Sequence, residues 1–230
     1  MRYPVKTPWL IKKLFSSLCW NVETSEKILY LTFDDGPHPS VTSFVLDELR
    51  KYQAKATFFC IGKNVAAYPD VYKKILDEGH AVGNHTYHHL NGWKTKNKTY
   101  LEDVKKASGL IDSSLFRPPY GRIKISQFKR LSEYMNKLRI KVVMWDVLSG
   151  DFDLGISPEH CALNVLQYAK PGSIVVFHDS SKASPRIKYA LPQTLKFFHE
   201  KGFRFHSLQD SVNEPATDQV NLKVLEESLK

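Results

Sequence analysis

The chain has 230 residues, of which 42% are hydrophobic, and a formal net charge of +9, which together indicate a globular protein with one sizeable core. Its lysines and arginines are scattered and no nucleic-acid-binding motif accompanies them, so we expect no nucleic-acid partner. No apolar run approaches the roughly 20 residues of a membrane span. The three cysteines lie far apart, which excludes a disulfide framework.

Residues 1–26 precede the first predicted strand and contain the segment TPWLIKKLFSSLCW, in which apolar residues recur at helical spacing. The side chains that share this face are Leu10, Ile11, Leu14, Phe15 and Leu18. The face could pack on the protein's own core, or it could contact a membrane surface with the help of nearby lysines and tryptophans. Because Lys12 and Lys13 interrupt the apolar run, no signal peptide is recognisable, and we expect a cytoplasmic or membrane-peripheral location.

From residue 27 onward, short apolar runs typical of strands alternate with helix-forming segments. Strands are predicted at residues 27–33, 54–62, 80–84, 114–119, 141–147, 173–179 and 203–208. Helices are predicted at residues 41–52, 69–79, 99–111, 126–139, 157–170 and 186–202. This alternation predicts one α/β domain over residues 27–210, built as an open doubly wound sheet or as a (β/α) barrel, and a polar tail over 211–230.

Acidic, imidazole and guanidinium side chains cluster where the predicted strands end. In a (β/α) barrel these carboxyl-terminal strand ends form one rim, and active sites are built on that rim. The residues concerned are Asp34, Asp35, His85, His88, His89, Arg117, Tyr120, Asp146, Asp151, His178 and Asp179. Such a concentration of chemistry at strand ends is difficult to explain by structural needs alone.

The spacing of His85 and His89 in HTYHH would place both imidazoles on one face of a helical turn, where they could bind one metal ion. With one aspartate they form a three-ligand set that leaves a position open, which is typical of a catalytic metal site. Of the adjacent Asp34 and Asp35, one could bind the metal and the other could accept a proton. Spacing alone does not assign these two roles. His88 is expected at the surface or in a supporting position.

Three further residues have both a structural and a catalytic interpretation. His178 follows an apolar strand and could be a core histidine or a general acid. Arg117 could form a structural ion pair or orient a catalytic carboxylate. In FRPPYG, two prolines restrict the backbone before Tyr120, so its N–H is held as an oxyanion-binding donor requires.

The segments TFDDGP, HTYHH, FRPPYG, WDVLSGDF and VVFHD resemble, in order, the five motifs of the polysaccharide deacetylases, the NodB-type domains of carbohydrate esterase family four. The resemblance runs from about Lys27 to about Leu208 and implies a distorted (β/α) barrel with seven or eight parallel strands. It implies hydrolysis of N-acetyl groups on an amino-sugar glycan such as chitooligosaccharide or peptidoglycan. It also implies that Asp35, His85 and His89 bind a divalent metal, usually zinc, with cobalt or nickel as alternatives.

The same resemblance implies roles for five other residues. Asp34 looks like the general base, and Arg117 like the residue that positions it. The backbone N–H of Tyr120 resembles the oxyanion donor. His178 resembles the general acid that protonates the leaving amine, with Asp151 as its carboxylate partner.

The fourth motif departs from the family pattern, which often reads Asp-x-x-Asp-Trp. Leu148 stands where the first Asp would be, and Phe152 replaces the Trp that usually forms one wall of the substrate groove. Two alternatives are therefore kept beside the N-deacetylase interpretation. The same site could hydrolyse an O-acetyl ester or a non-sugar amide, or the chain could be a catalytically silent sugar-binding protein. The sequence does not define the oligomeric state.

Overall fold

The computed structural model describes residues 3–208, so the polar tail predicted at 211–230 lies outside the described residues. Its strands are β1 (Ile28–Asp34), β2 (Thr57–Cys60), β3 (Ala81–Asn84), β4 (Leu115–Phe116), β5 (Lys141–Val142), β6 (Val147–Leu148), β7 (Ile174–His178) and β8 (Arg204–Phe205). They form one sheet in the order β5-β4-β3-β2-β1-β7-β6, with β8 paired to the start of β1. The paired strands are parallel, which confirms the predicted distorted barrel.

The sheet is strongly curled, because its two edge strands are almost continuous in sequence. Only residues 143–146 separate β5 at one edge from β6 at the other. Five Cα–Cα steps span at most about 17 Å, so the two edges lie close together. The single strand predicted over 141–147 is therefore wrong. The chain leaves the sheet between the two edges. There Val143 forms an isolated bridge with Cys19, and the carbonyl of Cys19 accepts a hydrogen bond from the Met144 N–H at 2.7 Å.

The amino-terminal segment crosses the gap between these edges. Isolated β-bridges join Lys6 to Val147 in antiparallel fashion and Asn21 to Ser173 at the start of β7. The buried carboxylate of Asp146 accepts hydrogen bonds from Lys6 at 2.5 Å, from Ser173 at 2.5 Å and from Lys12. Asp146 therefore anchors this segment at the amino-terminal ends of β6 and β7. The expectation that Asp146 lies at the active-site rim is wrong.

The helices of the main core cluster pack on the face of the sheet that carries Leu29, Leu31 and Phe33. The helices differ from the predicted ones in two places. They are α1 (Trp9–Leu14), α2 (Val41–Lys51), α3 (Gly62–Ala67), α4 (Pro69–Asp77), α5 (Asn97–Ser108), α6 (Ile125–Phe128), α7 (Leu131–Met135), α8 (Pro158–Tyr168) and α9 (Ser184–Glu200). The helix predicted over 126–139 is broken into α6 and α7, and Asn136 ends α7 in the left-handed conformation. The short helix α3 was not predicted. Among the described helices, none has the length and apolarity needed to cross a membrane.

The core lies on both sides of β1, every residue of which is buried. Phe33 of β1 stacks on Phe58 of β2, with ring centroids 5.0 Å apart, and on Phe177 of β7, at 6.1 Å. Burial on both faces explains why the strand sequences are continuously apolar rather than alternating. The core thus fixes β1 centrally, and the polar residues that follow it are held by rigid neighbours.

We expect Asp146→Asn to lower the free energy of unfolding by about 2–3 kcal/mol, because two lysines lose the buried charge that they share. Urea unfolding measures this difference. Asp47→Asn is the matched control, since Asp47 pairs with Arg50 at 2.9 Å on the exposed surface of α2. That variant should change stability by less than about 0.5 kcal/mol. Equal losses in the two variants would show that Asp146 is not an anchor.

Candidate active site

The carboxyl-terminal end of β1 brings two carboxylates to the rim of the barrel. Asp34 is the last residue of β1 and pairs in register with Phe59 of β2 and with His178 of β7. Asp35 follows with φ of 80°, in the left-handed region. This turn directs the two neighbouring aspartates differently, and each has its own set of partners.

Arg117, directly after β4, binds the first of these aspartates. Its guanidinium is fully buried, and Nη1 donates to Asp34 Oδ1 at 2.6 Å and to Thr32 Oγ1 at 2.8 Å. The Nε and Nη2 groups donate to the backbone carbonyl oxygens of Val143 and Met144. Because every side of the guanidinium fork is used, the position of the Asp34 carboxylate is fixed. Both interpretations of Arg117 hold, since its ion pair is structural and also orients a rim carboxylate.

The second aspartate lies against two imidazoles. Asp35 Oδ1 is 3.2 Å from His89 Nε2 and 3.7 Å from His85 Nε2. One ligand atom from each residue lies within 4.8 Å of the other two. The carbonyl oxygen of Arg117 is 2.7 Å from His85 Nδ1, and because a carbonyl only accepts, this nitrogen carries the proton. The lone pair of His85 is then on Nε2, which faces Asp35, so this cluster could hold a metal ion.

The protonation of the two imidazoles also suits metal ligation. Burial lowers the pKa of His85 below its ordinary value. Burial, followed by the neighbouring His85, lowers the pKa of His89 to about 4. Both rings are therefore neutral near pH 7, which is the form of histidine that binds metals.

The loop that carries these histidines is not the helical turn expected from HTYHH. Thr86 and His89 have φ of 64° and 57°, and the backbone N–H of Thr86 donates to the side chain of Asn84 at 2.8 Å. The two imidazoles nevertheless meet, with ring centroids 5.0 Å apart. Their proximity comes from an irregular turn held by side chains, so the predicted reason for it is wrong.

Asp103 on α5 is a supporting residue that the sequence did not reveal. Its Oδ2 accepts hydrogen bonds from the backbone N–H groups of Tyr87 and His88, both at 2.9 Å. Its Oδ1 lies 2.5 Å from Nδ1 of the His88 ring. His88 therefore binds Asp103 rather than the Asp35 cluster. A single acidic residue within a helix has no sequence signal that would predict this role.

A second imidazole–carboxylate pair lies on the other side of β1. His178 Nδ1 is 2.7 Å from Oδ1 of Asp151, and the His178 backbone N–H donates to Oδ2 at 2.6 Å. Burial acts to lower the pKa of His178, but the carboxylate of Asp151, together with those of Asp35 and Asp34, outweighs it and raises the pKa to about 9. The imidazole is therefore protonated near pH 7, and its Nε2 is not used by Asp151.

An aromatic wall adjoins this pair. The ring of Phe152 contacts the imidazole of His178, with centroids 5.3 Å apart, and the ring of Tyr3 lies 5.0 Å beyond it. Leu148, at the end of β6, is buried. Phe152 thus supplies an aromatic surface where the family pattern has Trp, and the amino-terminal segment extends that surface.

Tyr120 places an unused backbone donor next to the histidines. It follows Pro118 and Pro119, and its φ of 61° lies in the left-handed region. No group among residues 3–208 accepts a hydrogen bond from its N–H. Its ring contacts that of His89, with centroids 4.7 Å apart.

Asp179 is the other supporting residue, and it explains the glycine of TFDDGP. Its fully buried carboxyl accepts a hydrogen bond from Thr42 Oγ1 at 2.5 Å. A Cβ atom at residue 36 would lie 2.1 Å from Asp179 Oδ2, so only Gly36 allows this approach. Burial, with Asp35 nearby, raises the pKa of Asp179 to about 7. Its position directly after His178 was visible in the sequence, but its contact with the Asp35 turn was not.

The structure brings the predicted site residues together in three groups on one rim. These are the cluster of Asp35, His85 and His89 with Tyr120 beside it, the Asp34–Arg117 pair, and the His178–Asp151 pair. Their chemical roles stay predictions.

Comparison with known proteins places this arrangement in a family. The family model described as polysaccharide deacetylase matches residues 21–143. A peptidoglycan-N-acetylglucosamine deacetylase of Bacillus cereus is 34% identical over 197 residues, which cover 83% of this chain and 91% of that protein. The chain belongs to the polysaccharide deacetylase family. A chitooligosaccharide deacetylase of Azorhizobium caulinodans is 33% identical over 69% of this chain and 76% of its own length.

A solved structure agrees with this assignment. The crystal structure of a peptidoglycan N-acetylglucosamine deacetylase in complex with 4-naphthalen-1-yl-N-oxidanyl-benzamide superposes with a TM-score of 0.80 at 30% identity. The match covers 93% of this chain and all of that one. The relatives are thus named N-deacetylases of peptidoglycan and chitooligosaccharide, and the family implies a divalent metal that the Asp35 cluster could hold.

We expect Gly36→Ala to lower the free energy of unfolding by about 1–3 kcal/mol, because the new methyl group overlaps the buried carboxyl of Asp179. Gly109→Ala is the control, since Gly109 ends α5 in a right-handed conformation with only ordinary contacts around a Cβ. That variant should be neutral or slightly more stable. Thermal and urea unfolding of both variants check the difference, and a neutral Gly36→Ala would contradict the tight approach of Asp179.

Proposed function

We propose that this chain hydrolyses N-acetyl groups on an amino-sugar glycan and releases acetate. The observation that carries the proposal is the geometry of the rim. Three groups share one rim: a cluster with a metal-binding donor set, a carboxylate held by a buried arginine and an imidazole held by a buried aspartate. Hydrolysis of an amide needs a base for the attacking water and an acid for the leaving amine, and these two pairs can supply them.

In this proposal Asp35, His85 and His89 hold a divalent metal ion. Two imidazoles and one carboxylate suit zinc, with cobalt or nickel as alternatives, and three ligands leave a coordination position open. When bound, the ion would polarise the acetyl carbonyl and make the attacking water more acidic. The carbonyl oxygen of Arg117 contributes by fixing the tautomer and orientation of His85.

Asp34 is the proposed general base. Arg117 occupies its Oδ1, and no group among residues 3–208 donates to its Oδ2. Asp34 is only 4% exposed, so few bulk water molecules can reach its carboxylate. The free oxygen can accept the proton of the attacking water while the arginine keeps the carboxylate beside the cluster rather than in it.

The backbone N–H of Tyr120 is the proposed donor to the oxyanion. Tyr120 lies in a left-handed conformation within a turn that the Gly121 N–H closes by donating to the Pro118 carbonyl at 2.9 Å, and the Tyr120 N–H has no acceptor within the described part of the chain. A fixed donor costs no reorganisation when negative charge develops on the substrate oxygen. The exposed Tyr120 side chain is not needed for this role, since only the backbone donates.

His178 is the proposed general acid. Asp151 binds Nδ1 and leaves Nε2 free to protonate the leaving amine. The raised pKa, to about 9, keeps the ring protonated at neutral pH. An amine is a poor leaving group until it is protonated, so this protonated imidazole favours an amide over an ester substrate.

The test of this function is acetate release from N-acetylated chitooligosaccharides and peptidoglycan fragments, with acetylated xylan as the ester substrate. The purified chain is assayed with zinc, with cobalt and with a chelator. We expect release from an N-acetylated glycan that the chelator abolishes. Preference for xylan would favour the O-acetyl esterase alternative. No release from any substrate by the metal-loaded protein would favour a non-sugar amide or a silent sugar-binding protein.

We expect His89→Ala to lose stoichiometric zinc after dialysis, because it removes one of three ligands. The matched control is His88→Ala, which removes the neighbouring imidazole that binds Asp103 instead. Metal content measured by inductively coupled plasma mass spectrometry distinguishes the two. Full zinc occupancy in His89→Ala would rule out the proposed ligand set.

We expect Asp34→Asn to keep its zinc but to lose turnover by about 10²–10⁴-fold, the usual contribution of a general base. The amide oxygen can still accept from Arg117, which keeps the geometry at a cost in stability because the buried cation loses its counter-charge, but it cannot take a proton. Acetate release and metal content are measured on the same sample. Wild-type turnover in this variant would refute the assignment of the base.

We expect Asp151→Asn to shift the basic limb of the kcat/KM profile to lower pH. His178 acts as an acid only when protonated, so activity falls as pH rises through its pKa, about 9. Removing the carboxylate lowers that pKa by about one unit or more. Asp153→Asn is the control, because Asp153 accepts from the Gly155 N–H instead. An unchanged basic limb in Asp151→Asn would mean that His178 is not the acid.

A further inference from the structure

The apolar side of α1 faces solvent rather than the core. Trp9, Leu10 and Leu14 are 71%, 52% and 62% exposed, and Ile11 and Phe15 are exposed as well. Within residues 3–208, these five make up nearly a third of the sixteen exposed large apolar side chains, yet they lie within seven consecutive positions. Scattered apolar side chains are normal on a surface, but a contiguous group marks a binding surface.

This orientation is the reverse of that in an ordinary surface helix, which buries its apolar side. Lys12 points toward the barrel and binds the buried carboxylate of Asp146, while the leucines point away. No residue of α1 is buried. The expectation that this face packs on the protein's own core is therefore wrong, and Leu18, beyond the helix, is the member of the predicted face that packs against a core cluster.

The outward orientation is fixed by contacts on both sides of α1. Before the helix, the Thr7 N–H donates to the carbonyl of Asp146 at 2.9 Å. After it, the Trp20 indole donates to the carbonyl of Phe15 at 2.9 Å, and the Cys19 N–H donates to the carbonyl of Val142. The apolar group is thus presented by the folded chain itself.

We propose that α1 binds an anionic lipid surface. The chemistry of the segment fits that partner, since it combines exposed tryptophan and leucine with one exposed lysine, as interfacial helices do. Lys13 is exposed next to Trp9, with its Nζ 5.9 Å from the ring centroid. The chain as a whole carries a net charge of +9, which attracts it to an anionic surface. A helix of six residues with all its apolar side chains outward is short for a helix-in-groove contact with a protein.

The residues of α1 are separate from those of the proposed site. The helix is held through Lys12 by Asp146, which directly precedes β6. The Asp35 cluster lies beyond the carboxyl-terminal ends of the strands. The lipid contact through α1 thus uses none of the residues of the proposed site. This contact does not depend on the proposed activity.

The test is co-sedimentation of the full chain with vesicles of phosphatidylglycerol and phosphatidylcholine. We expect the wild type to bind. Leu10→Ser/Leu14→Ser should bind at least about tenfold more weakly, because the contact with the lipid loses two leucine side chains that it would bury. Leu76→Ser/Leu154→Ser is the matched control, since these leucines are 45% and 70% exposed elsewhere on the surface. It should bind as the wild type does. Absent wild-type binding, or equal binding by all three proteins, overturns the proposal.

Two further readouts separate a lipid partner from a second copy of the chain. Trp9 fluorescence should shift to the blue on vesicle addition, and the shift should disappear in Trp9→Phe. Sedimentation velocity without vesicles should give the same mass for the wild type and Leu10→Ser/Leu14→Ser. A larger wild-type species that this variant abolishes would assign α1 to self-association and overturn the lipid proposal. Equal binding to vesicles of pure phosphatidylcholine and to vesicles that contain phosphatidylglycerol would overturn the proposal that the lipid surface is anionic.

Discussion

The arrangement of the rim depends on the buried guanidinium of Arg117. Its side chain donates to Asp34, while its backbone carbonyl accepts from His85, so one residue ties the proposed base to a proposed metal ligand. The cation lies over the ring of Phe59, 4.1 Å from its centroid, and has no exposed surface. A buried charge needs a partner, so Arg117 and Asp34 hold each other in position. Asp34 is thereby kept available for proton transfer while its neighbour Asp35 faces the imidazoles.

The parallel sheet makes this arrangement possible, because its strands deliver their carboxyl-terminal residues to one rim. The backbone there is unusual. Four non-glycine residues of the rim, Asp35, Thr86, His89 and Tyr120, are in the left-handed region. Each such residue costs of order 1–3 kcal/mol, and such costs persist only where surrounding contacts hold them. Here those contacts include the hydrogen bonds that Asp103 accepts from the loop backbone and the packing of the loops against the buried strands. The helix α1 contributes no residue to the rim, so the proposed lipid contact and the proposed chemistry use different side chains.

Much of the fold and the site could be predicted from the sequence, because both depend on patterns local to the chain. Apolar runs and helical periodicity predicted the alternation of strands and helices, and the strand-end motifs predicted Asp34 and His178. What the sequence missed depends on contacts between distant segments. Asp103 binds backbone N–H groups of the histidine loop and Asp179 packs against Gly36, and the spacing of neither residue reveals its contact. The break between β5 and β6 and the outward side of α1 both depend on how the amino-terminal segment docks through Asp146.

The measurement that tests the central claim most directly is a crystal structure of the zinc-loaded protein with anomalous scattering at the zinc edge. We predict one zinc ion at about 2.0–2.2 Å from ligand atoms of Asp35, His85 and His89. Asp34 should stay bonded to Arg117, outside coordination distance. A zinc ion bound by Asp34, or one held away from the two histidines, would contradict the division of roles between the paired aspartates.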